Sequence, residues 1–181
     1  MRKDEDPFSP FQRFIGFRQF FLPKGETKVE VKSTLMVCNQ SELKAQTGVT
    51  AGQTLKALVG NAERPTDRIR VALATYQPNT VEDLHWHPIE AFYYVISGHA
   101  IVRDVKGKEY EAGPGTAIYA PPGIAGAHEW EVKEGLQLLS VRATTESVRK
   151  LQFTVDKETM RSYVDLDELA RRGGVSFKSL Y

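Results

Sequence analysis

Apolar and polar residues alternate in short segments through the middle of the chain. RIRVALATY at 68–76 has the period of two that is typical of strands, and AFYYVISG at 91–98 is predicted as a strand because it is rich in aromatic and β-branched residues. LQLLSVRAT at 136–144 is a further predicted strand. HAIVRDV at 99–105, TAIYA at 116–120 and HEWEV at 128–132 continue the rhythm, and turns such as QPN, AGPG, PPGIAG and KEG separate the segments. Short strands with tight turns, and no long helical pattern, predict an all-β fold, either an antiparallel sandwich or a barrel.

The two ends of the chain have different patterns. A phenylalanine recurs at every third position near the start, at Phe8, Phe11, Phe14, Phe17 and Phe20. This period belongs neither to a strand nor to a helix, so we predict an aromatic arm that docks against the core or a partner subunit. Near the other end, VDLDELARRGG has acids first, arginines last and then glycine, which predicts a short helix with Asp165 or Asp167 as its N-cap.

These patterns predict one structural domain with three segments. Residues 1–64 form the N-terminal arm and extra strands, residues 65–145 form the barrel, and residues 146–181 carry the short helix. Within the first segment, ETKVEVKSTLMVC at 26–38 is predicted as a strand. TLKALV at 54–59 fits either a strand or a helical turn.

Composition narrows the functional class. The formal net charge of +1 gives no global field that would favour nucleic acid or a membrane surface, and no dense basic run appears. Cys38 is the only cysteine, which excludes an internal disulfide and a CxxC zinc site. No segment resembles a signal peptide or a membrane span, so we expect a cytoplasmic protein.

Three histidines form the strongest chemical signal. His85 and His87 are two residues apart, so on a strand their imidazoles project from the same face. His128 begins another predicted strand after PPGIAG, a loop that can bring it to the same space. Neutral imidazoles in this arrangement are typical ligands of Zn, Fe, Cu and Ni, and Mn is common in mixed nitrogen and oxygen sites. Solvent-facing histidines are the alternative.

The histidine pattern resembles the cupin superfamily. Its first motif is G-x5-H-x-H-x(3 or 4)-E-x6-G, and NTVEDLHWHPIEAFYYVISG supplies His85, His87 and Gly98, with Asn79 where the first glycine usually stands. Its second motif is G-x5-P-x-G-x2-H-x3-N, and GTAIYAPPGIAGAH supplies Pro121, Gly123 and His128 among its positions. The resemblance covers roughly residues 70–142. It implies a cupin-type small barrel, a double-stranded β-helix or jelly roll, with one divalent metal ion.

The sequence departs from both motifs. Four residues, not two, separate Gly123 from His128, and Val132 replaces the usual asparagine. The position of the expected glutamate is Ala91, and Glu90 lies one residue out of register. There are two alternatives: a bulge near Pro88 turns Glu90 inward as a fourth ligand, or the site consists of three histidines alone.

The resemblance implies a metal-dependent enzyme. Sites with three histidines are similar to those of Fe(II) dioxygenases, so the leading hypothesis is a dioxygenase that acts on a small anionic or enolisable substrate. Iron is the first candidate for the metal, with Mn, Ni or Zn as alternatives. The alternative functions are a non-redox metal-dependent lyase or isomerase, and a cupin that binds or senses a small molecule without turnover.

Alternation along the strands suggests further site residues and a partner. Tyr93 shares the predicted inward face with the ligands and is a candidate catalytic hydrogen-bond donor. Trp130 and Arg142 are candidate substrate-binding residues, the second because a guanidinium can pair with a carboxylate. Core packing for the two aromatic residues, and a surface position for Arg142, are the alternatives. The opposite face of the strand that carries Tyr93 is apolar. Together with the aromatic arm, this face predicts a homodimer, and its side chains are Phe92, Tyr94 and Ile96.

Overall fold

The computed structural model describes residues 32–175, and most of their regular elements are strands. The chain divides into two units, Met1–Leu35 and Met36–Tyr181, and the second unit contains all of the following strands and helices. The strands are β1 (Gln46–Thr47), β2 (Gln53–Val59), β3 (Arg70–Tyr76), β4 (Val81–Trp86), β5 (Ala91–Asp104), β6 (Glu109–Ala112), β7 (Ala117–Ala120), β8 (His128–Arg142), β9 (Phe153–Val155) and β10 (Ser162–Tyr163). The helix α1 spans Leu166–Arg171, and short 3-10 helices lie at Gln40–Glu42, Ile124–Gly126 and Ser147–Lys150.

Strand β8 organises the sheet. Its first half pairs with β4, its second half pairs with β3, and β5 pairs with it along nearly its whole length, all antiparallel. Beyond β3 and β4 the sheet continues through β2 and β1 on one side and through β9 and β10 on the other, while β6 and β7 pair with β5. The antiparallel sheet curls into a small barrel, which confirms the predicted all-β cupin-type fold.

Two glycines bend the long strands where the sequence predicted breaks. The predicted strands 91–98 and 99–105 form the single strand β5, and the predicted turn KEG lies inside β8. Gly98 and Gly135 have φ values of 81° and 103°, a region that glycine enters without strain. A Cβ on Gly98 would lie 2.0 Å from the carbonyl oxygen of Gly135. The strands therefore kink together while their pairing continues, an effect that local turn signals do not reveal.

Other predicted elements have mixed outcomes. TLKALV is a strand, since it lies within β2. Residues 32–38 are not part of a strand, so that half of the predicted strand at 26–38 is wrong, and the other half lies outside the described residues. The aromatic arm, with its phenylalanines at 8–20, lies outside the described residues as well.

The predicted C-terminal helix is confirmed as α1. Asp165 is its N-cap, and its carboxylate accepts a hydrogen bond of 2.8 Å from the backbone N–H of Glu168. Two glycines with positive φ, Gly173 and Gly174, follow it and end the helix.

The hydrophobic core lies between the long strands. Side chains along β5 alternate as expected: Ala91, Tyr93 and Val95 are buried, whereas the residues between them are exposed. Fully buried core side chains from β5 and β8 include Val95, Trp130, Val132 and Leu138. Within residues 32–175, no helix is long and apolar enough to span a bilayer.

Candidate metal centre and adjoining cavity

Three buried imidazoles meet where β4 and β8 pair. His85 and His128 are direct partners in the strand register, and their ring centroids lie 4.5 Å apart. His87 follows the end of β4, and its centroid lies 5.1 Å from that of His85 and 6.1 Å from that of His128. One ligand atom from each of the three residues lies within 4.8 Å of the others. The structure therefore brings together the three histidines of the sequence pattern.

Each imidazole is oriented by a backbone carbonyl. Nδ1 of His85 lies 2.7 Å from the carbonyl oxygen of Asp83. Nδ1 of His87 lies 3.0 Å from that of Leu151, and Nδ1 of His128 lies 2.8 Å from that of Gly126. A carbonyl oxygen only accepts, so in the neutral ring Nδ1 carries the proton and Nε2 keeps its lone pair. Carbonyl partners of this kind fix the tautomer and the orientation of metal-binding histidines.

The surroundings keep the imidazoles neutral. Burial lowers the pKa of His85 to about 4 and that of His128 to about 3, and it holds the pKa of His87 well below its usual value. The positive charge of Arg142 acts in the same direction on all three rings. Neutral imidazole is the form that binds a metal. The chemistry of the donors and their orientation fit a divalent ion, so His85, His87 and His128 could hold a metal.

Tyr93 and Arg142 reach the same imidazoles from the cavity side. The hydroxyl of Tyr93 lies 3.0 Å from Nε2 of His128, and Nη2 of Arg142 lies 3.2 Å from Nε2 of His87. The guanidinium of Arg142 lies 5.0 Å from the centre of the Tyr93 ring. Burial raises the pKa of Tyr93, so the phenol keeps its proton at neutral pH. The two candidate residues are thus neighbours beside the histidines.

Glu90 and Trp130 are placed elsewhere. The side chain of Glu90 accepts a hydrogen bond of 2.7 Å from the Tyr119 hydroxyl in an exposed position. The structure does not bring it to the three imidazoles. Trp130 lies in the hydrophobic core with its ring edge-on to Tyr93, at a centroid distance of 5.4 Å, and it is not among the residues that line the cavity.

Glu82 is a site residue that the sequence reasoning missed. Its carboxylate is buried, and Oε1 lies 3.7 Å from Nε2 of His85. It accepts hydrogen bonds of 2.8 Å from the Tyr76 hydroxyl and 3.3 Å from Nε2 of Gln152. Strict alternation places Glu82 and His85 on opposite faces, but the register of β4 against β8 shifts between them. No signal in the sequence locates that shift.

A cavity of about 410 Å³ opens beside the histidines. His87, Tyr93, Glu82 and the inward side chains of β3 and β8 line it. Its basic lining residues are Arg70, Arg142, Arg149, Lys150, Arg171 and Arg172, and its acidic lining residue is Glu82. Apart from Arg142, the sequence reasoning missed these cations. The one available signal was Arg70, which shares one face of its strand with Ala72 and Ala74, small residues that leave room inside the barrel.

Comparison with known proteins assigns the class. Residues 72–142 match the family model described as Cupin domain. Together with the barrel and the histidine pattern, this match identifies residues 72–142 as a cupin domain. No curated protein sequence matches the chain significantly.

Solved structures share the fold at low sequence identity. The polyketide cyclase RemF from Streptomyces resistomycificus is 23% identical, with 60% of this chain and 78% of that chain covered and a TM-score of 0.53. Ectoine synthase from P. lautus is 15% identical, with 61% of this chain and 78% of that chain covered and a TM-score of 0.52. Oxalate decarboxylase from Bacillus subtilis is 21% identical, with 81% of this chain but 38% of that chain covered and a TM-score of 0.56.

Proposed function

We propose that the protein is a metal-dependent cupin enzyme, and more specifically an Fe(II)-type dioxygenase that acts on a small anionic or enolisable substrate. The observation that carries the proposal is the convergence of three neutral imidazoles, each pinned through Nδ1 to a carbonyl, at the wall of a cationic cavity. The similar structures include a cyclase, a synthase and a decarboxylase, which supports an enzymatic role for this fold.

The metal site would consist of His85, His87 and His128. A divalent ion bound there supplies Lewis acidity and, if it is iron, a redox partner. Three neutral ligands leave the full charge of such an ion uncompensated, which favours an anionic substrate. Iron is our first choice, and Mn, Ni and Zn are alternatives, because imidazole ligands suit several of these ions.

Arg142 and Tyr93 would bind and orient the substrate. Their donors now occupy the Nε2 lone pairs of His87 and His128, which a metal ion would use. Once those lone pairs are engaged elsewhere, the guanidinium is free to pair with a carboxylate or enolate, and the phenol is free to donate to a second oxygen. Both groups are buried or half-buried, so their hydrogen bonds are stronger than in water.

A second candidate, a non-redox lyase or isomerase, is supported by Glu82. Its carboxylate is buried at the cavity wall, and Tyr76 donates to it. Gln53 in turn donates to the Tyr76 hydroxyl at 2.5 Å, so the group is held in place. A fixed, buried carboxylate beside a substrate can act as a general base without any redox chemistry.

Metal analysis and oxygen uptake test these proposals. The protein is purified without oxygen, its metal content is measured, and uptake is followed with diketones and phenols. Iron-dependent uptake supports the dioxygenase. Turnover without oxygen, lost in Glu82→Gln, supports the lyase or isomerase. Tight binding of a small molecule with no product would contradict both and indicate a binding cupin. His99→Ala is a matched control, since His99 pairs with Glu111 at the surface.

The homodimer and the cytoplasmic location stay predictions. Phe92, Tyr94 and Ile96 are 39–42% exposed on the outer face of β5, where a second copy could cover them. Light scattering of the purified protein would measure its mass in solution, and Tyr94→Ser should shift that mass toward the monomer. A wild-type protein with the mass of a monomer would contradict the predicted dimer.

A further inference from the structure

Two buried guanidinium nitrogens in the cavity have no hydrogen-bond partner. They are Nε of Arg70 and Nη1 of Arg142, and no other buried side-chain nitrogen or oxygen among residues 32–175 lacks one. An unpaired charged donor that is removed from water is costly to stability. Such atoms therefore call for a functional explanation.

The two residues also oppose each other directly. Arg70 on β3 and Arg142 on β8 are partners in the strand register, so like charges lie side by side. Like charges at directly opposite positions destabilise a sheet. The acid in the cavity lining, Glu82, accepts its hydrogen bonds from Tyr76 and Gln152 rather than from either of these arginines. Nothing within the described residues neutralises this pair of guanidinium groups.

Further cations lie near Arg70 in the lining of the same cavity. Arg149 is held by bonds from its Nη1 to the carbonyls of Thr145 and Glu146, at 2.5 and 2.7 Å. Nζ of Lys150 lies 3.2 Å from the carbonyl of Gly174. Backbone groups thus fix the positions of these two side chains, and no carboxylate within residues 32–175 forms an ion pair with either of them.

Mutual repulsion among these cations supports the same conclusion. Burial lowers the pKa of Arg70 to about 10, with further lowering by Arg149, Arg142 and Arg172. Burial, and then Arg149, Arg172 and Arg70, lower the pKa of Lys150. These cations are close enough to act on one another, as expected for a site that is completed by an anion.

We propose that the cavity takes a substrate with two anionic groups, one beside the histidines at Arg142 and the other in a distal subsite formed by Arg70, Arg149 and Lys150. The second group is a carboxylate or a phosphate, since guanidinium and ammonium donors recognise the oxygens of both. The proposal rests on the proposed function only for the identity of the reacting end. Binding at the distal subsite is independent of turnover.

Calorimetric titration of the metal-loaded protein tests the second anionic group. Succinate and glutarate are compared with butyrate and valerate, monocarboxylates of the same lengths, and 3-phosphonopropionate with propionate. We expect at least one class of dianion to bind about tenfold or more tightly than its monoanion. A preference for the phosphonate alone identifies a phosphate-type group, and a preference for the dicarboxylates identifies a carboxylate. Equal affinities, or no binding of any probe, would overturn the proposal.

Variants locate the distal subsite. Arg70→Gln should reduce the preference for dianions to about threefold or less while the affinity for monoanions stays unchanged, and Arg70→Lys should keep part of the preference. Arg68→Gln, at an exposed position on the same segment, is the matched control. If Arg70→Gln does not fold, Arg149→Gln replaces it. If the variant loses affinity for dianions and monoanions equally, the proposed distal subsite is wrong.

The outcomes keep the two proposals separate. A preference for dianions in a protein that consumes no oxygen would leave this inference standing and remove the dioxygenase. Oxygen consumption without any preference for dianions would do the reverse. Metal content is measured in every variant, because a change at Arg70 should leave it unaltered.

Discussion

Two cross-strand pairs on β8 place arginines in opposite circumstances. Arg103 on β5 faces Glu129 on β8, whereas Arg70 on β3 faces Arg142 at the far end of the same strand. Arg103 donates to three carboxylates at 2.7–3.0 Å: those of Glu109, Glu129 and Glu131. The guanidinium groups of Arg70 and Arg142 have no carboxylate partner among the described residues and leave buried nitrogens unpaired.

This difference indicates that Arg103 stabilises the fold, whereas Arg70 and Arg142 are placed to bind a ligand. A guanidinium surrounded by carboxylates satisfies the buried Glu129 and needs nothing further. Facing guanidiniums in a cavity lower stability until an anion binds. The contrast predicts four effects, which decrease in size from the binding of metal to the loss of Arg70.

Metal binding to the three histidines should produce the largest effect. Wild-type protein should retain about one metal ion per chain, and His87→Ala should retain almost none, because the remaining imidazoles bind too weakly. Metal at about 100 times its dissociation constant should raise the free energy of unfolding of the wild type by about 2.7 kcal/mol. Metal analysis and thermal unfolding measure both. Full occupancy in His87→Ala would contradict the ligand assignment, and His99→Ala should behave as wild type.

Acid should destabilise the metal-free protein because its buried histidines resist protonation. The folded-state pKa values of His85 and His128, about 4 and about 3, lie below the value of about 6.5 in the unfolded chain. The unfolded chain therefore binds more protons, and the free energy of unfolding falls as the pH drops below about 6.5. The slope is up to about 1.4 kcal/mol per pH unit for each imidazole.

Denaturant unfolding between pH 7 and pH 5 measures this slope. Lys133 and then Arg103 lower the pKa of Glu131, so loss of its ion pairs falls at lower pH, outside this window. His128→Gln should have a shallower slope than the wild type. An identical slope in the variant would show that His128 does not titrate as stated.

Removal of Arg103 should destabilise the fold moderately. Arg103→Gln leaves the buried carboxylate of Glu129 with Lys157 as its remaining ion-pair partner. We expect the free energy of unfolding to fall by about 1–2 kcal/mol, near the lower end of the cost of an unsatisfied charged group, because Lys157 still pairs with it. Chemical denaturation measures the change, with the exposed Arg68→Gln as control. A fall in the free energy of unfolding no larger than that of the control would contradict a structural role for Arg103.

Removal of Arg70 should have the smallest effect on stability and the opposite sign. Arg70→Met keeps the aliphatic stem but removes the unpaired Nε and the repulsion with Arg142. We expect the free energy of unfolding to stay unchanged or to rise by up to about 1 kcal/mol in the absence of an anion. Chemical denaturation in a buffer without multivalent anions measures the change. A loss of more than about 1 kcal/mol would show that Arg70 serves the fold as Arg103 does.

Much of the fold and part of the site followed from local pattern. The period of two placed Tyr93 inward and Phe92 outward on β5, because side chains on a strand alternate whatever the neighbouring strand is. The spacing of His85, His87 and His128 indicated a shared site, and the structure brings the three rings together.

Register shifts and kinks could not be predicted in the same way. Glu82 is buried near His85 because the pairing of β4 with β8 shifts, and such a shift depends on both strands. Gly98 and Gly135 bend two strands at one point instead of ending them, and their close approach across the sheet is what requires glycine at position 98. Neither property belongs to a single segment.

The sequence by itself determined the all-β class, the three candidate metal-binding histidines and the short helix with an acidic N-cap, because these depend on residue type and on spacing along the chain. The tertiary structure decided which carbonyl orients each ring, where Glu82 and Glu90 point, and that residues far apart in the chain, Arg70, Arg142 and Arg149, line one cavity. Those outcomes depend on contacts between distant segments, which only the folded sheet brings into register.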